Sequence, residues 1–352
     1  MTQISPATAG RRRALAHLAR LAGLSLAAIA PLAAGPAFAQ APATAAAGNP
    51  VFPIPGKPIR LVVPFPAGSG SDATARILAK LLSDELGGHP VVVDSKPGAG
   101  TFIGAQDVAR SPADGHTLLY TIVVTHTQNP HLYAKLPYDW QKDFTPLTQV
   151  MKSATVLIAP PNAPFNNVAE LVAYAKANPG KLSYASYSPG STSHLNGELL
   201  KMRAGIDMVH IPYKGTADAS RALIAGDVQL YFDGTASAVE LIKSGRAKGL
   251  GTATPTRVPV LPNLPTIGEQ GVKGLDIVGW QAIFGPGNMP APLAKRLSDL
   301  LAKVVRSPEM LRLIEQQGNE PSGASGADFA AIVKSDNERW GEVIRAARIR
   351  LE

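Results

Sequence analysis

Two segments of this chain carry residue types that can hold an anion without a metal. Pro64-Phe65-Pro66-Ala67-Gly68-Ser69-Gly70-Ser71-Asp72 lies between an apolar run and a helix-period run. Its glycines let the backbone approach a ligand closely. Ser71 or Asp72 is expected to cap the helix, whose first N–H groups and dipole favour negative charge. Ser186-Tyr187-Ser188-Pro189-Gly190-Ser191-Thr192-Ser193-His194 has the same setting further on. Its hydroxyls and backbone N–H groups are donors without fixed positive charge, which suits a carboxylate. A capped glycine turn and a plain polar loop are the simpler alternatives for the two segments. A third segment, His210-Ile211-Pro212-Tyr213-Lys214-Gly215-Thr216, places a cation and an aromatic in one turn. Lys214 reads as a solvated surface charge and His210 as a packed side chain.

Other chemistries find less support. Gly68-Ser69-Gly70-Ser71-Asp72-Ala73 matches the glycine fingerprint of a dinucleotide site, with Asp94 about 20 residues further on. Phe65, Pro66 and Ala67 separate the strand from the first glycine, however, and Asp72 would set a carboxylate where the pyrophosphate belongs. The sequence has no G-x-S-x-G, S-x-x-K, H-E-x-x-H or G-x-x-x-x-G-K motif. His126 and His131 have no acid between them, and Asp72, Asp94 and Asp233 are too widely spaced to argue a carboxylate pair. With no cysteine, disulfides, thiolate metal sites and a cysteine nucleophile are excluded. No metal or cofactor is implied.

The elements that position these segments alternate. Ile59–Val63, Pro90–Val93 and Thr117–Thr121 read as strands, with helices over 72–86 and 103–109 between them. This spacing gives βαβ units and a mostly parallel α/β sheet. A second series starts near Ala154: strands over 155–159, 182–185, 208–211 and 228–232, with helices over 168–177, 194–202, 217–225 and 238–243. Asn167 followed by Glu170 marks a helix start, and Gly226 a helix stop. Two amphipathic stretches, 293–306 and 328–347, have no strands of their own and are expected to pack on one lobe.

The 352 residues carry a formal charge of +8. Residues 1–39 read as a secretory signal, with Arg11-Arg12-Arg13, an apolar run from Leu21 to Ala34 and Ala37-Phe38-Ala39 before the cleavage point. The run is shorter than the roughly 20 residues a membrane span needs. Removing this leader, which holds four arginines and no acid, leaves +4. No basic block remains, which argues against a nucleic-acid partner and fits a small anionic ligand. Residues 40–56 read as a flexible Ala/Pro/Gly-rich leader.

Several motifs then occur in a fixed order: Lys57-Pro58-Ile59-Arg60-Leu61-Val62-Val63-Pro64-Phe65-Pro66-Ala67-Gly68, Lys96-Pro97-Gly98-Ala99-Gly100, Leu136-Pro137-Tyr138-Asp139 with Lys142-Asp143-Phe144, Pro212-Tyr213-Lys214-Gly215, and Leu264-Pro265-Thr266 with Glu269 and Gly271. With these the chain resembles the Bug-type periplasmic solute-binding proteins of the tripartite tricarboxylate transporters, from Lys57 to about Leu351. The resemblance implies a type II periplasmic-binding-protein fold with two α/β lobes and two interlobe crossings. Residues 57–154 with 281–352 would form the first lobe, and 155–280 the second. It implies a non-enzymatic monomer that closes on a small carboxylate and delivers it to a membrane permease. Carried over by position, the ligand would meet Phe65, Ala67, Gly68, Ser69, Ser71 and Asp72 from the first lobe. From the second it would meet Ser186, Ser188, Gly190, Ser191 and Thr192, with Asp233 near the rim. The chain departs from the family pattern in three places. Ser69 and Thr101 stand where glycines are common, and Tyr187 or Pro189 stands where the second loop usually has glycine. An exported hydrolase using a Ser-rich loop, and a ligand sensor for a signalling partner, are the alternatives.

Overall fold

The computed structural model describes residues 52–351, so the expected signal segment lies outside the described residues. The chain opens with β1 (Ile59–Val63), α1 (Gly70–Glu85), β2 (Val91–Ser95), α2 (Phe102–Ala109) and β3 (Thr117–Ile122). The strands β1, β2 and β3 pair in parallel, as the alternation requires. In α1 the buried residues Ala75, Leu78, Ala79 and Leu82 recur at helical spacing and face the sheet. A one-turn π-helical segment, Val124–Gln128, leads into the short α3 (Asn129–Leu132). The long β4 (Phe144–Ser153) ends this stretch.

At Ala154 the chain leaves the first sheet. It continues through β5 (Thr155–Ala159), α4 (Val168–Ala177), β6 (Leu182–Ser186), α5 (Thr192–Ala204), β7 (Met208–Pro212), α6 (Thr216–Ala225), β8 (Leu230–Gly234), α7 (Thr235–Lys243) and β9 (Lys248–Thr252). Asn167 accepts from Glu170 N and Gly226 closes α6 with φ +83°, the two signals expected from sequence. The chain then returns with β10 (Gly279–Pro286), α8 (Ala291–Val305), α9 (Pro308–Gln316), β11 (Glu320–Pro321) and α10 (Gly326–Ala346).

Two sheets result, ordered β11-β4-β10-β3-β1-β2 and β7-β6-β8-β5-β9. Neither is mostly parallel. The strands flanking the crossings, β4, β10 and β5, all run antiparallel to their neighbours. An excursion into a second sheet returns the chain at the place it left, so its outgoing and incoming strands pair head to tail. The C-terminal helices accordingly have a strand of their own lobe ahead of them, in β10, and one between them, in β11. Trp280 and Phe284 of β10, Leu157 and Phe232 of the second sheet, and Phe329 and Trp340 of α10 share one buried apolar cluster. The last residues of the expected leader are also ordered. Phe52 is buried beside His116, with ring centroids 5.3 Å apart, because one aromatic ring is enough to dock a short segment.

Candidate functional site

The loop after β1 is organised from below by Asp72, which is 2% exposed. Its Oδ2 accepts from Gly68 N at 2.9 Å and from Arg76 Nε at 2.9 Å. Its Oδ1 accepts from Ser95 Oγ and an Arg76 Nη, both at 3.1 Å. The Arg76 guanidinium and these donors hold the carboxyl below its ordinary range. Ser69, rather than Ser71 or Asp72, caps α1: its side chain accepts from Asp72 N at 3.2 Å. The helix starts two residues earlier than the apolar spacing suggested, because Gly70 and Ser71 add no apolar side chain to the pattern. The N–H groups of Gly70 and Ser71 therefore open the helix without intrahelical partners. Asp94, the acid a dinucleotide site would use, instead meets Arg60 at 3.0 Å. With Asp72 turned onto the loop's own amide, the phosphate position is already taken.

The loop after β6 is built differently. Ser191 caps α5, accepting from His194 N, and donates to Ser188 O at 2.7 Å. Ser186 Oγ donates to Ser188 O at 3.0 Å and lies 2.7 Å from His210 Nε2. Gly190 N donates to His194 Nδ1 at 3.0 Å, which requires that nitrogen to be unprotonated. His194 stacks on His210 with centroids 3.7 Å apart and planes 7° off parallel. Burial pushes both imidazoles down to about 4. Asp233, expected near the rim, is fully buried at the end of β8, and burial raises its carboxyl to about 6.

Between these loops lies a cleft of about 850 Å³. Of the residues expected to meet ligand, Phe65, Ser188, Gly190 and Ser191 line it. Ala67 and Gly68 are exposed and Ser69 and Ser71 half-buried at the start of α1, while Asp72, Ser186, Thr192 and Asp233 are buried. Thr192 Oγ1 accepts from Gln128 Nε2 at 3.0 Å, joining the second lobe to the first. The wall also holds Thr101, Ile122, Val124, Asn129, Tyr133 and Leu351, which sequence reasoning did not place there. The one signal among them was Thr101, which the resemblance sets where glycine is expected and which holds a left-handed φ of +82°. Bonds to Thr125 Oγ1 at 2.8 Å and from Asn129 Nδ2 at 3.5 Å support that conformation.

The profile of the tripartite tricarboxylate transporter family receptor matches residues 74–349. The chain belongs to this family. Among solved structures, Rpa4515 of R. palustris with adipate is 33% identical, covering 84% of this chain and 99% of that one, with a TM-score of 0.74. The periplasmic binding protein BugD is 34% identical over 85% of this chain and 100% of its own, with a TM-score of 0.71. MatC from Rhodopseudomonas palustris with bound malate is 27% identical over 83% and 100%, with a TM-score of 0.69. The two lobes of this receptor-family chain thus form the type II periplasmic-binding-protein fold implied by its motifs. Family members are solute-binding receptors rather than enzymes.

Asp72→Ala tests the first loop. Removing this acceptor leaves Gly68 N and Ser95 Oγ without their partner, so ligand affinity is expected to fall by about tenfold or more. Calorimetric titration reads it; unchanged affinity would show that the loop holds its shape without Asp72.

Proposed function

We propose that this chain is a non-enzymatic periplasmic receptor that captures a small organic carboxylate between its lobes and delivers it to a tripartite tricarboxylate transporter permease. The observation that carries the reading is the cleft itself. It opens where loops leave the C-terminal ends of β1 and β6, the place where open α/β sheets bind ligands. Its polar groups are hydroxyls and amides, a set that hydrogen-bonds an anion without fixing it irreversibly. The adipate and malate of the related structures agree with this ligand class. Phe65, Ser188, Gly190 and Ser191 would touch the ligand. Ala67, Gly68 and Ser69 would form the turn that presents the first N–H groups of α1, that of Ser71 among them, and Asp72, Ser186, Thr192 and Asp233 would hold the two loops from behind. Residues 57–154 with 281–352, and residues 155–280, would move as the two closing bodies. Residues 1–39 would direct export and be cleaved after Ala39.

The hydrolase alternative needs a serine within reach of a base and open to substrate. Ser186 and His210 have the distance, 2.7 Å, but Ser186 is fully buried and already donates to Ser188 O. Its hydroxyl supports the loop rather than an attack.

Mass spectrometry of protein purified from its host and then denatured is expected to release one small carboxylate in near-equal amount. A thermal-shift panel of carboxylates is expected to give stabilising hits that Ser191→Trp removes while the protein stays folded. A panel with no carboxylate hit would sink the reading, and turnover of an ester or amide would transfer it to the hydrolase.

A further inference from the structure

The two loops facing the cleft do not offer the same thing. In the first, Gly68 N is spent on Asp72 and Ser69 N on Pro66 O, which leaves the leading amides of α1. In the second, nearly every donor turns inward. Gly190 N goes to His194 Nδ1, Ser191 N to Ser188 O, His194 N to Ser191 Oγ, and both Ser186 Oγ and Ser191 Oγ to Ser188 O. Pro189 has no N–H to give. Tyr187 lines the cleft together with Ser188, Pro189, Gly190 and Ser191, the loop that leads into Thr192 and Ser193 at the start of α5. That ring stands in the cleft wall and packs on the apolar cluster formed by Ala185, Ala219 and Tyr231. The Tyr187 ring thus occupies the cleft wall beside the helix end that would meet a second anionic group. The buried Asp233 near the end of β8 adds a negative group to the same lobe.

The cleft walls agree with this asymmetry. Among the described residues, no Lys, Arg, His, Asp or Glu side chain lines the cavity. Ile122, Val124, Leu132 and Leu351 give it aliphatic surface, and Phe65 and Tyr133 aromatic surface. A volume of about 850 Å³ also exceeds what a four-carbon acid fills. A second carboxylate placed here would lose its water and find no cation and few open amides, a cost that burial of unpaired charge always carries. A ring would find apolar area and aromatic partners.

We infer that this cleft selects a monocarboxylate with an aromatic or alicyclic body, and that Tyr187 is the specificity-determining residue that turns away a second carboxylate. The ligand's charge meets the first lobe and its ring lies against the apolar wall. Ser188, whose hydroxyl donates to no other group among the described residues, takes any uncharged polar substituent. The inference rests on the carboxylate-receptor reading above and narrows it.

Calorimetric titration of the purified chain with benzoate, cyclohexanecarboxylate, malate and adipate tests it. The ring acids are expected to bind about tenfold tighter than either dicarboxylate, or better, as one unpaired charged group implies. Tyr187→Gly, which clears the start of α5, is expected to shift the benzoate-to-adipate affinity ratio toward adipate by about tenfold or more. Tighter binding of malate or adipate by the unaltered chain overturns the inference and leaves the receptor reading standing. A Tyr187→Gly protein that folds with an unchanged ratio overturns the role of Tyr187. Should that variant fail to fold, the ranking by the unaltered chain still decides. No binding of any carboxylate overturns the receptor reading as well.

Discussion

Gly197→Ala is expected to destabilise this protein by about 3 kcal/mol, near the top of the range for overpacking a core. The usual effect of the substitution has the opposite sign. An interior helical glycine replaced by alanine gains about 1 kcal/mol from backbone entropy. Here a Cβ would lie 2.1 Å from Tyr184 Cε2 and 2.5 Å from Cδ2 and Cζ. The Tyr184 ring is fully buried, stacks on His210 and donates to Glu198 Oε1 at 2.6 Å, so it has no free direction to retreat. The steric cost therefore exceeds the propensity gain. For roughly 300 ordered residues the melting temperature should drop by roughly 5 °C. Denaturant unfolding measures it, and a neutral or stabilised variant would show that α5 does not sit on Tyr184 as described. The contact matters for the site because Ser191, which lines the cleft, is the N-cap of α5.

The second large effect is acid destabilisation between about pH 6.5 and pH 4. Burial holds His194 and His210 at about 4 and His126 at about 3, against an ordinary 6.5. His126 stacks on Phe284 at 3.7 Å with neither ring nitrogen hydrogen-bonded. In this interval the unfolded chain binds protons at these three sites and the folded chain does not, so stability falls as pH falls. Two acids, the buried Asp233 and the half-buried Asp336, act the other way. Asp233 and Asp336 are raised to about 6 from an ordinary 3.8, so the folded chain binds their protons first and gains stability over the same range. Three sites against two leave a net of about one proton near pH 5, or about 1.4 kcal/mol lost per pH unit. Urea unfolding at stepped pH reads this slope. Asp233→Asn removes one opposing group and should steepen the slope, whereas His126→Leu should flatten it. A stability that is level from pH 7 to pH 4 would show that these imidazoles are not held neutral. Glu198 and Lys201, the charged groups nearest the stacked pair, pull His194 and His210 in opposite directions and leave desolvation as the main cause.

Strands β1, β3 and β6 were legible as short runs because both of their faces are buried, and helices α1, α4 and α6 because each buries one face and so writes a helical period into the chain. Strand β4 left no such trace. Thr145, Pro146, Thr148 and Gln149 interrupt it, yet Thr148 and Gln149 are buried because Thr148 Oγ1 donates to Ser298 O of α8 and the segment around Ser322–Ala324 satisfies the polar groups of Gln149. Strand β10 carries Gly279, Gly285 and Pro286, residues that read as turn. A Cβ on Gly285 would meet Met289 Sδ at 2.1 Å, so the Met289 side chain packs over the glycine that hides the strand.

The cleft divides the same way. That a Ser/Gly-rich loop follows a strand in each lobe is a local property, and local properties are written in neighbouring residues. The order of short motifs, from Lys57-Pro58 to Leu264-Pro265-Thr266, was likewise enough to indicate the family and with it the two-lobe architecture. Which donors in those loops remain open is not local. Gly190 N is spent because His194 stacks against His210 from a strand 16 residues away, and Leu351 reaches the wall because its N–H meets Leu132 O across more than 200 residues. A hydrogen-bonding group is satisfied by whatever lies within about 3 Å of it. Sequence therefore determined which groups this protein could offer a ligand, and only the tertiary structure decided which of them it still has to give.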